Sequence, residues 1–241
     1  MILILFGILT GLMSGFFGVG GGTVLVPLLL LYGFEMKSAV AISIMQMIFS
    51  SIYGSFLNSR TNKAILKDGI TIGIGGFLGG SLSGIIVPNV PGIYLKYIFI
   101  AVIIFSIYRV AATSLENPKG TASRNKFVLI FIGFIIGMIA MSIGIGGSVI
   151  LAPILVGYML YNLKDAASLG LFFVIFSSIA GFISLSLSGH MHFSEGAIVG
   201  IASLIGVYFG IKLKNIINIK YYKQLTLFMY SMILISVIYK L

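Results

Sequence analysis

Hydrophobic positions along this chain fall in long unbroken runs, not in the alternation of strands or the narrow stripes of soluble helices. The first run, Ile2 to Leu31, carries no charge and is interrupted only by the glycines between Gly18 and Gly22. As one straight helix it would be about 45 Å long, against a hydrocarbon core of about 30 Å. Each glycine costs about 1 kcal/mol relative to alanine inside a helix. The pattern therefore predicts a first limb, a glycine hinge and a shorter return limb: a helical hairpin dipping into a bilayer, with a kinked and tilted span as the alternative.

Three more apolar runs follow, Ser38–Leu57, Gly69–Val87 and Ile93–Ala111. A basic loop with Arg60, Lys63 and Lys67 separates the first two. Pro88, Pro91 and Gly92 mark the next turn, because proline removes a backbone donor and disfavours helix in the residue before it. Residues 113–126 form a polar linker. The pattern then repeats as a broken run, Phe127–Leu160, and three spans near Ala166–Ser188, Gly196–Lys212 and Ile219–Tyr239. Residues 1–112 and 127–241 read as two transmembrane repeats.

The repeats match residue by residue. At an offset of 126, Gly18, Gly20, Gly21, Leu25 and Pro27 fall on Gly144, Gly146, Gly147, Leu151 and Pro153. One residue is then inserted, and at 127 Lys37, Ser50, Ser51 and Gly54 fall on Lys164, Ser177, Ser178 and Gly181. Asp68 meets Glu195, while Tyr94 and Lys96 meet Tyr221 and Lys223. A register sustained through charged positions marks an internal duplication.

Composition agrees. Of 241 residues, 59% are hydrophobic and 8% charged, against about 25% charged in a soluble domain. The fold class is an all-α polytopic membrane protein, and the long runs exclude a β-barrel. No cysteine is present, which excludes disulfides and thiolate sites. The net charge of +10 would suggest nucleic acid in a soluble protein. Here the basic residues lie between apolar runs, so the expected partners are a lipid bilayer and a small ligand, not nucleic acid. The start lacks the charged n-region of a signal peptide, and the chain is expected to begin where the sequence does.

Charge also chooses between topologies. If both broken runs cross the membrane, the basic residues divide almost evenly. If both are re-entrant, there are six full spans, and Lys37, Lys96 and Lys240 stand alone against the other twelve Lys and Arg. The positive-inside bias prefers the second arrangement. It predicts two inverted repeats, each a glycine-broken hairpin plus three transmembrane helices, with both termini outside.

In that arrangement each hinge is a hairpin tip deep in the membrane. The return limb begins there with unpaired N–H groups and a positive dipole end, and paired helix breaks of this kind point to a transporter's binding site. The candidate binding residues are Gly18, Gly20, Gly21, Gly22 and Thr23 with Gly144, Gly146, Gly147 and Ser148; the ligand would be a small anion. Ser43, Gln46, Ser50, Ser51, Ser177 and Ser178 are candidates to line the path, Ser43 and Gln46 having no counterpart of their kind in the second half. The competing reading is that the glycines serve helix packing and the hydroxyls bond to their own helices.

Other chemistry finds little support. Thr23 stands where a dinucleotide fingerprint needs its third glycine, and Gly22 where a P-loop needs lysine. All five acids lie near loops; Asp68 and Glu195 read as caps at span starts, and His190 and His192 as a solvated loop. No enzyme activity, cofactor or metal is expected. Glycines four apart, such as Gly7, Gly11 and Gly15, suit packing within the chain or a homodimer.

The doubled segment running from glycine hinge to proline resembles the signature of the TauE/SafE family, also called the sulfite exporter or toluene sulfonate uptake permease family. The resemblance covers nearly the whole chain, since that family is a duplicated four-segment unit. The second half departs with Ser148 in place of Gly22 and Met141 in place of Gly15, which suggests a less open tip. The resemblance implies transport of sulfite, sulfonates or related sulfur-containing organic anions across the cytoplasmic membrane of a prokaryote. The expected function is a secondary transporter working by alternating access; the rival is a non-transporting membrane subunit or assembly factor.

Overall fold

The computed structural model describes residues 1–59, 63–112, 125–159, 161 and 163–240. The linker lies almost wholly outside the described residues, as does Arg60. The described elements are all helices: α1 (Ile2–Phe17), α2 (Gly22–Tyr32), α3 (Met36–Ser59), α4 (Lys63–Gly80), α5 (Ser83–Asn89), α6 (Gly92–Ala112), α7 (Lys126–Ile143), α8 (Ser148–Met159), α9 (Leu163–Leu187), α10 (Phe193–Ile216) and α11 (Ile219–Tyr239). Seven segments are long and apolar enough to cross a membrane. Six are the expected spans; the seventh is α7, the 18-residue first limb of the second broken run, which just reaches spanning length where its counterpart α1 has 16 residues. Large apolar side chains such as Phe131, Phe209 and Ile235 point outward, as a lipid-facing surface requires. The protein is an integral, multi-pass membrane protein.

The span expected at Gly69–Val87 is interrupted at Ser81–Leu82, and helix continues through Pro88 to Asn89. The turn therefore falls at Val90–Pro91, later than Pro88 suggested. Ser184 of α9 holds this break: its hydroxyl donates to the Ser81 carbonyl and accepts from Gly84 N–H. A side chain at Gly84 would displace it.

Glycine contacts fix the helix directions. Gly7, Gly11 and Gly15 of α1 abut Val199, Ser203 and Val207 of α10 in ascending order, and a Cβ on Gly11 would stand 2.0 Å from the Ser203 carbonyl oxygen. Thus α1 and α10 run parallel. So do α3 and α10, where Met45, Phe49 and Gly54 meet Gly196, Gly200 and Val207. Since α2 turns back into α3, with Gly22 beside Met47, α1 and α2 point in opposite senses. The second half behaves alike. Gly133 and Gly137 of α7 follow Ile72 and Gly76 of α4, while Gly69 and Gly73 of α4 follow Phe172 and Phe176 of α9. Antiparallel α6 and α11 are joined near both ends, Lys96 Nζ donating to the Lys240 carbonyl at 2.6 Å and Lys223 Nζ to the Ala111 carbonyl at 2.9 Å. The glycine stripes of α1 and α4 are thus occupied within the chain. In lipid, where apolar burial gives helices no preference for each other over acyl tails, close backbone approach supplies the packing energy.

Candidate ligand site

The hinges follow one backbone pattern, with positive-φ glycines at matching positions. Helix α1 ends at Gly18 with φ 72°, its N–H on the Ser14 carbonyl at 2.8 Å, and α7 ends at Gly144 with φ 72° on the Ala140 carbonyl. Gly20 and Gly21 follow at φ 79° and 81°, and Gly146 and Gly147 at 40° and 58°. These left-handed conformations are what glycine supplies without a Cβ penalty. Proline stands at the sixth position of both return limbs, Pro27 in α2 and Pro153 in α8. In α8 the carbonyl that Pro153 leaves without its helical donor, Val149 O, accepts from the Ser106 hydroxyl at 3.1 Å, the kind of repair that tolerates proline in a membrane helix.

The two tips touch. A Cβ on Gly22 would lie 2.2 Å from the Gly144 carbonyl oxygen, and one on Gly146 would lie 2.6 Å from the Val19 carbonyl oxygen. Gly20, Gly22, Gly144 and Gly146 therefore serve close backbone approach. The Ser43 hydroxyl shares its proton between the carbonyls of Val40 at 2.8 Å and Gly144 at 3.2 Å, tying α3 to the opposite hinge. The Ser50 hydroxyl lies 3.1 Å from the Gly20 carbonyl. Ser51, Ser177 and Ser178 are buried and bond to carbonyls of their own helices.

Three candidate side chains have no hydrogen-bond partner although they are buried. They are Thr23 in the first turn of α2, Ser148 in the first turn of α8, and Gln46, whose amide nitrogen and oxygen are both orphaned. A Cβ on Gly21 would lie 2.6 Å from both Nε2 and Oε1 of Gln46 and 3.0 Å from its Cδ. The amide thus turns its N–O edge to the first hinge. At the second hinge the corresponding position is Phe173, whose ring edge occupies the same place against Gly147.

Beside the tips lies a small cavity walled by Phe17 and Val19 of the first hinge, Ser148 of α8, and Tyr222, Thr226 and Tyr230 of α11. It has about 20 Å³ of space for the centre of a water-sized molecule, enough for one water. The Tyr222 hydroxyl donates to the Phe17 carbonyl at 3.0 Å, anchoring α11 to the hinge. At the offset of 127, Tyr222, Thr226 and Tyr230 correspond to Leu95, Phe99 and Ile103 of α6, all fully buried. Sequence reasoning missed this ladder of hydroxyls. The signal lies in the departures from the duplication at these three positions, as it does for Gln46.

Of the acids, Asp68 is not a cap. It lies in the second turn of α4, is buried, and accepts from the Tyr161 hydroxyl at 2.7 Å. Glu195 sits in the first turn of α10, with His192 Nδ1 at 3.9 Å. Among the described residues no cluster of three His, Cys, Asp or Glu could hold a metal ion.

Comparison with known proteins points the same way. Residues 3–239 match the profile of the family described as Sulfite exporter TauE/SafE. The chain is 24% identical over 246 residues to the Probable membrane transporter protein YunE of Bacillus subtilis, covering 91% of this chain and 89% of the relative. A relative with the same description from Methanocaldococcus jannaschii is 29% identical over 192 residues, 76% of this chain and 71% of that protein. A second Bacillus subtilis protein so described, YdhB, is 26% identical over 231 residues, 90% and 91% of the two chains. No solved structure matches the chain significantly.

Proposed function

Because the chain belongs to the sulfite exporter TauE/SafE family, and its matched relatives are each described as a probable membrane transporter protein, we propose that it is a secondary transporter of small anions, sulfite and sulfonates first among them. Its site is formed at the two glycine hinges, and its two halves are inverted repeats that alternate access to that site across the cell membrane, with both termini outside. The helix directions support the inverted arrangement, since each broken run turns back at its hinge. The twelve-to-three division of basic residues supports the orientation. A reporter fused after Leu241 that proved cytoplasmic would overturn it.

The observation that carries the ligand site is the set of orphaned polar groups, Thr23 and Ser148 at the starts of α2 and α8 and Gln46 of α3 against the first hinge. The rival reading, a non-transporting subunit whose glycines serve packing, has the touching tips in its favour and accounts for the glycines. It does not account for the amide. A buried polar atom left unpaired costs about 1–3 kcal/mol, and an apolar residue at position 46 would pack the same space without that penalty, as Phe173 does in the second half. An anion at two helix N-termini would pair these donors and meet the positive ends of both dipoles.

The test is anion flux in proteoliposomes. Wild type should move sulfite or a short sulfonate, and Gln46→Met should lose most of that flux while remaining folded. Undiminished flux in the folded variant would remove Gln46 from the site; no flux of any anion by wild type would favour the packing subunit.

A further inference from the structure

The two orphaned atoms of Gln46 make different demands on a ligand. Nε2 donates and Oε1 accepts, and both face the hinge on one edge, equidistant from the site of a Cβ on Gly21. A fully deprotonated oxyanion only accepts, so it would pair with Nε2 and set its charge against Oε1. Exchanging the two atoms leaves the demand unchanged, because the edge still holds one donor and one acceptor. The α3 hydroxyls beside Gln46 cannot mediate as donors, since Ser43 and Ser50 give their protons to the carbonyls of Gly144 and Gly20.

The surroundings also limit the ligand's charge. Residues 10–32, 38–59, 127–159 and 168–187 supply the hinges and the helices packed on them, and they hold no Asp, Glu, Lys, Arg or His. From α10 the residues against this part of α3 are Gly196 and Gly200, while the buried Lys214 is turned to the Ser168 hydroxyl of α9 at 3.2 Å; from α6, Arg109 lies over the Tyr158 ring at the far end of α8. From α11 the titratable groups that face the hinges are the phenols of Tyr222 and Tyr230, the first donating to the Phe17 carbonyl. Lys37, at the start of α3, is turned to the Pro88 carbonyl at 2.6 Å. With Lys37, Lys214 and Arg109 each turned to other groups, a dianion here would lose its hydration with no cation paired to it, which a buried site tolerates poorly.

We infer that the ligand is bound as a monoanion carrying its own O–H beside its anionic oxygen, the hydrogen-oxyanion form, paired edge to edge with Gln46. Nε2 donates to the anionic oxygen and the ligand's O–H donates to Oε1, while the first N–H groups of α2 take the remaining lone pairs. Phe173 fills the equivalent place at the second hinge, so each chain has one such edge. This inference rests on the reading of the hinges as an anion site, and its test separates the two.

The experiment is isothermal titration of the purified full-length protein with sulfite and with methanesulfonate, over the pH range in which sulfite loses its second proton. Methanesulfonate is a monoanion without an O–H at every pH used. The expected sulfite affinity is highest at the acid end and falls about tenfold per pH unit once the ligand's proton has gone. Methanesulfonate should bind at least about tenfold more weakly than hydrogen sulfite, with no pH dependence, and Gln46→Met should lose the tight, pH-dependent binding of sulfite. Sulfite affinity that ignores pH, or equal binding of both anions, would overturn the inference while leaving the anion site standing. Binding of neither anion would overturn both.

Discussion

The two hinges share a backbone and differ in chemistry. Gly18, Gly20 and Gly21 repeat as Gly144, Gly146 and Gly147 in the same left-handed conformations. Yet an orphaned amide faces Gly21 where a phenyl ring faces Gly147, and the hydroxyls of α11 stand where α6 has leucine, phenylalanine and isoleucine. Duplication kept the parts that make chain reversal and close packing possible. Departures from it gathered around one side of the crossing, where polar groups are costly unless something pairs with them. Symmetry marks the scaffold, and its breaks gather the polar groups on which the proposed anion site rests.

The largest effect that would break this comparison concerns Gly22 and its counterpart Ser148. Position 148 already carries a Cβ because Gly170 makes room for it, whereas a Cβ at 22 meets the Gly144 carbonyl oxygen at 2.2 Å. Gly22→Ala should therefore destabilise at or above the top of the about 1–3 kcal/mol range for overpacking, seen as a large drop in Tm or loss of folded protein. Ser148→Ala should leave Tm nearly unchanged. Equal tolerance at both positions would show that the tips are not in contact.

Next comes Gln46→Met. Removing an orphaned amide should stabilise the ligand-free protein by about 1–2 kcal/mol, raising Tm, while anion binding is lost. Phe173→Gln should do the reverse to stability, by burying a second unpaired amide. A fall in Tm for Gln46→Met without ligand would mean that the amide has a structural partner. Thr23→Val and Ser148→Ala should each weaken anion binding several-fold, the worth of about 1 kcal/mol for one hydrogen bond, with little change in folding. The smallest effect is Tyr222→Phe, which removes the bond to the Phe17 carbonyl and should cost about 0.5–1.5 kcal/mol in thermal denaturation.

The sequence made the scaffold legible because its signals are strong and local. Apolar runs set the helices, glycines set both hinges at matching positions, and the distribution of Lys and Arg favoured hairpins over single crossings. Gln46 stood out as a long amide in mid-span, and it is an orphaned group that faces Gly21 of the first hinge. Ser51, Ser177 and Ser178 could not be separated from Ser43 and Ser50 in advance, because a serine in a membrane helix bonds locally or across according to which neighbour packs on it. The Asp68–Tyr161 pair was hidden for the same reason: 93 residues separate its members. Tyr222, Thr226 and Tyr230 lie four residues apart on one face of α11, but nothing local distinguishes them from a lipid-facing stripe until α6 is laid beside them.

The central claim, that the anion sits at the first hinge against the edge of Gln46, is tested most directly by locating a heavy anion. Crystals of the full-length protein soaked in selenite at a pH where the hydrogen form is abundant should show one anomalous peak per chain, within hydrogen-bond distance of the Gln46 amide and the start of α2, and none in Gln46→Met. Two equivalent peaks at the two hinges, or a single peak elsewhere, would contradict it.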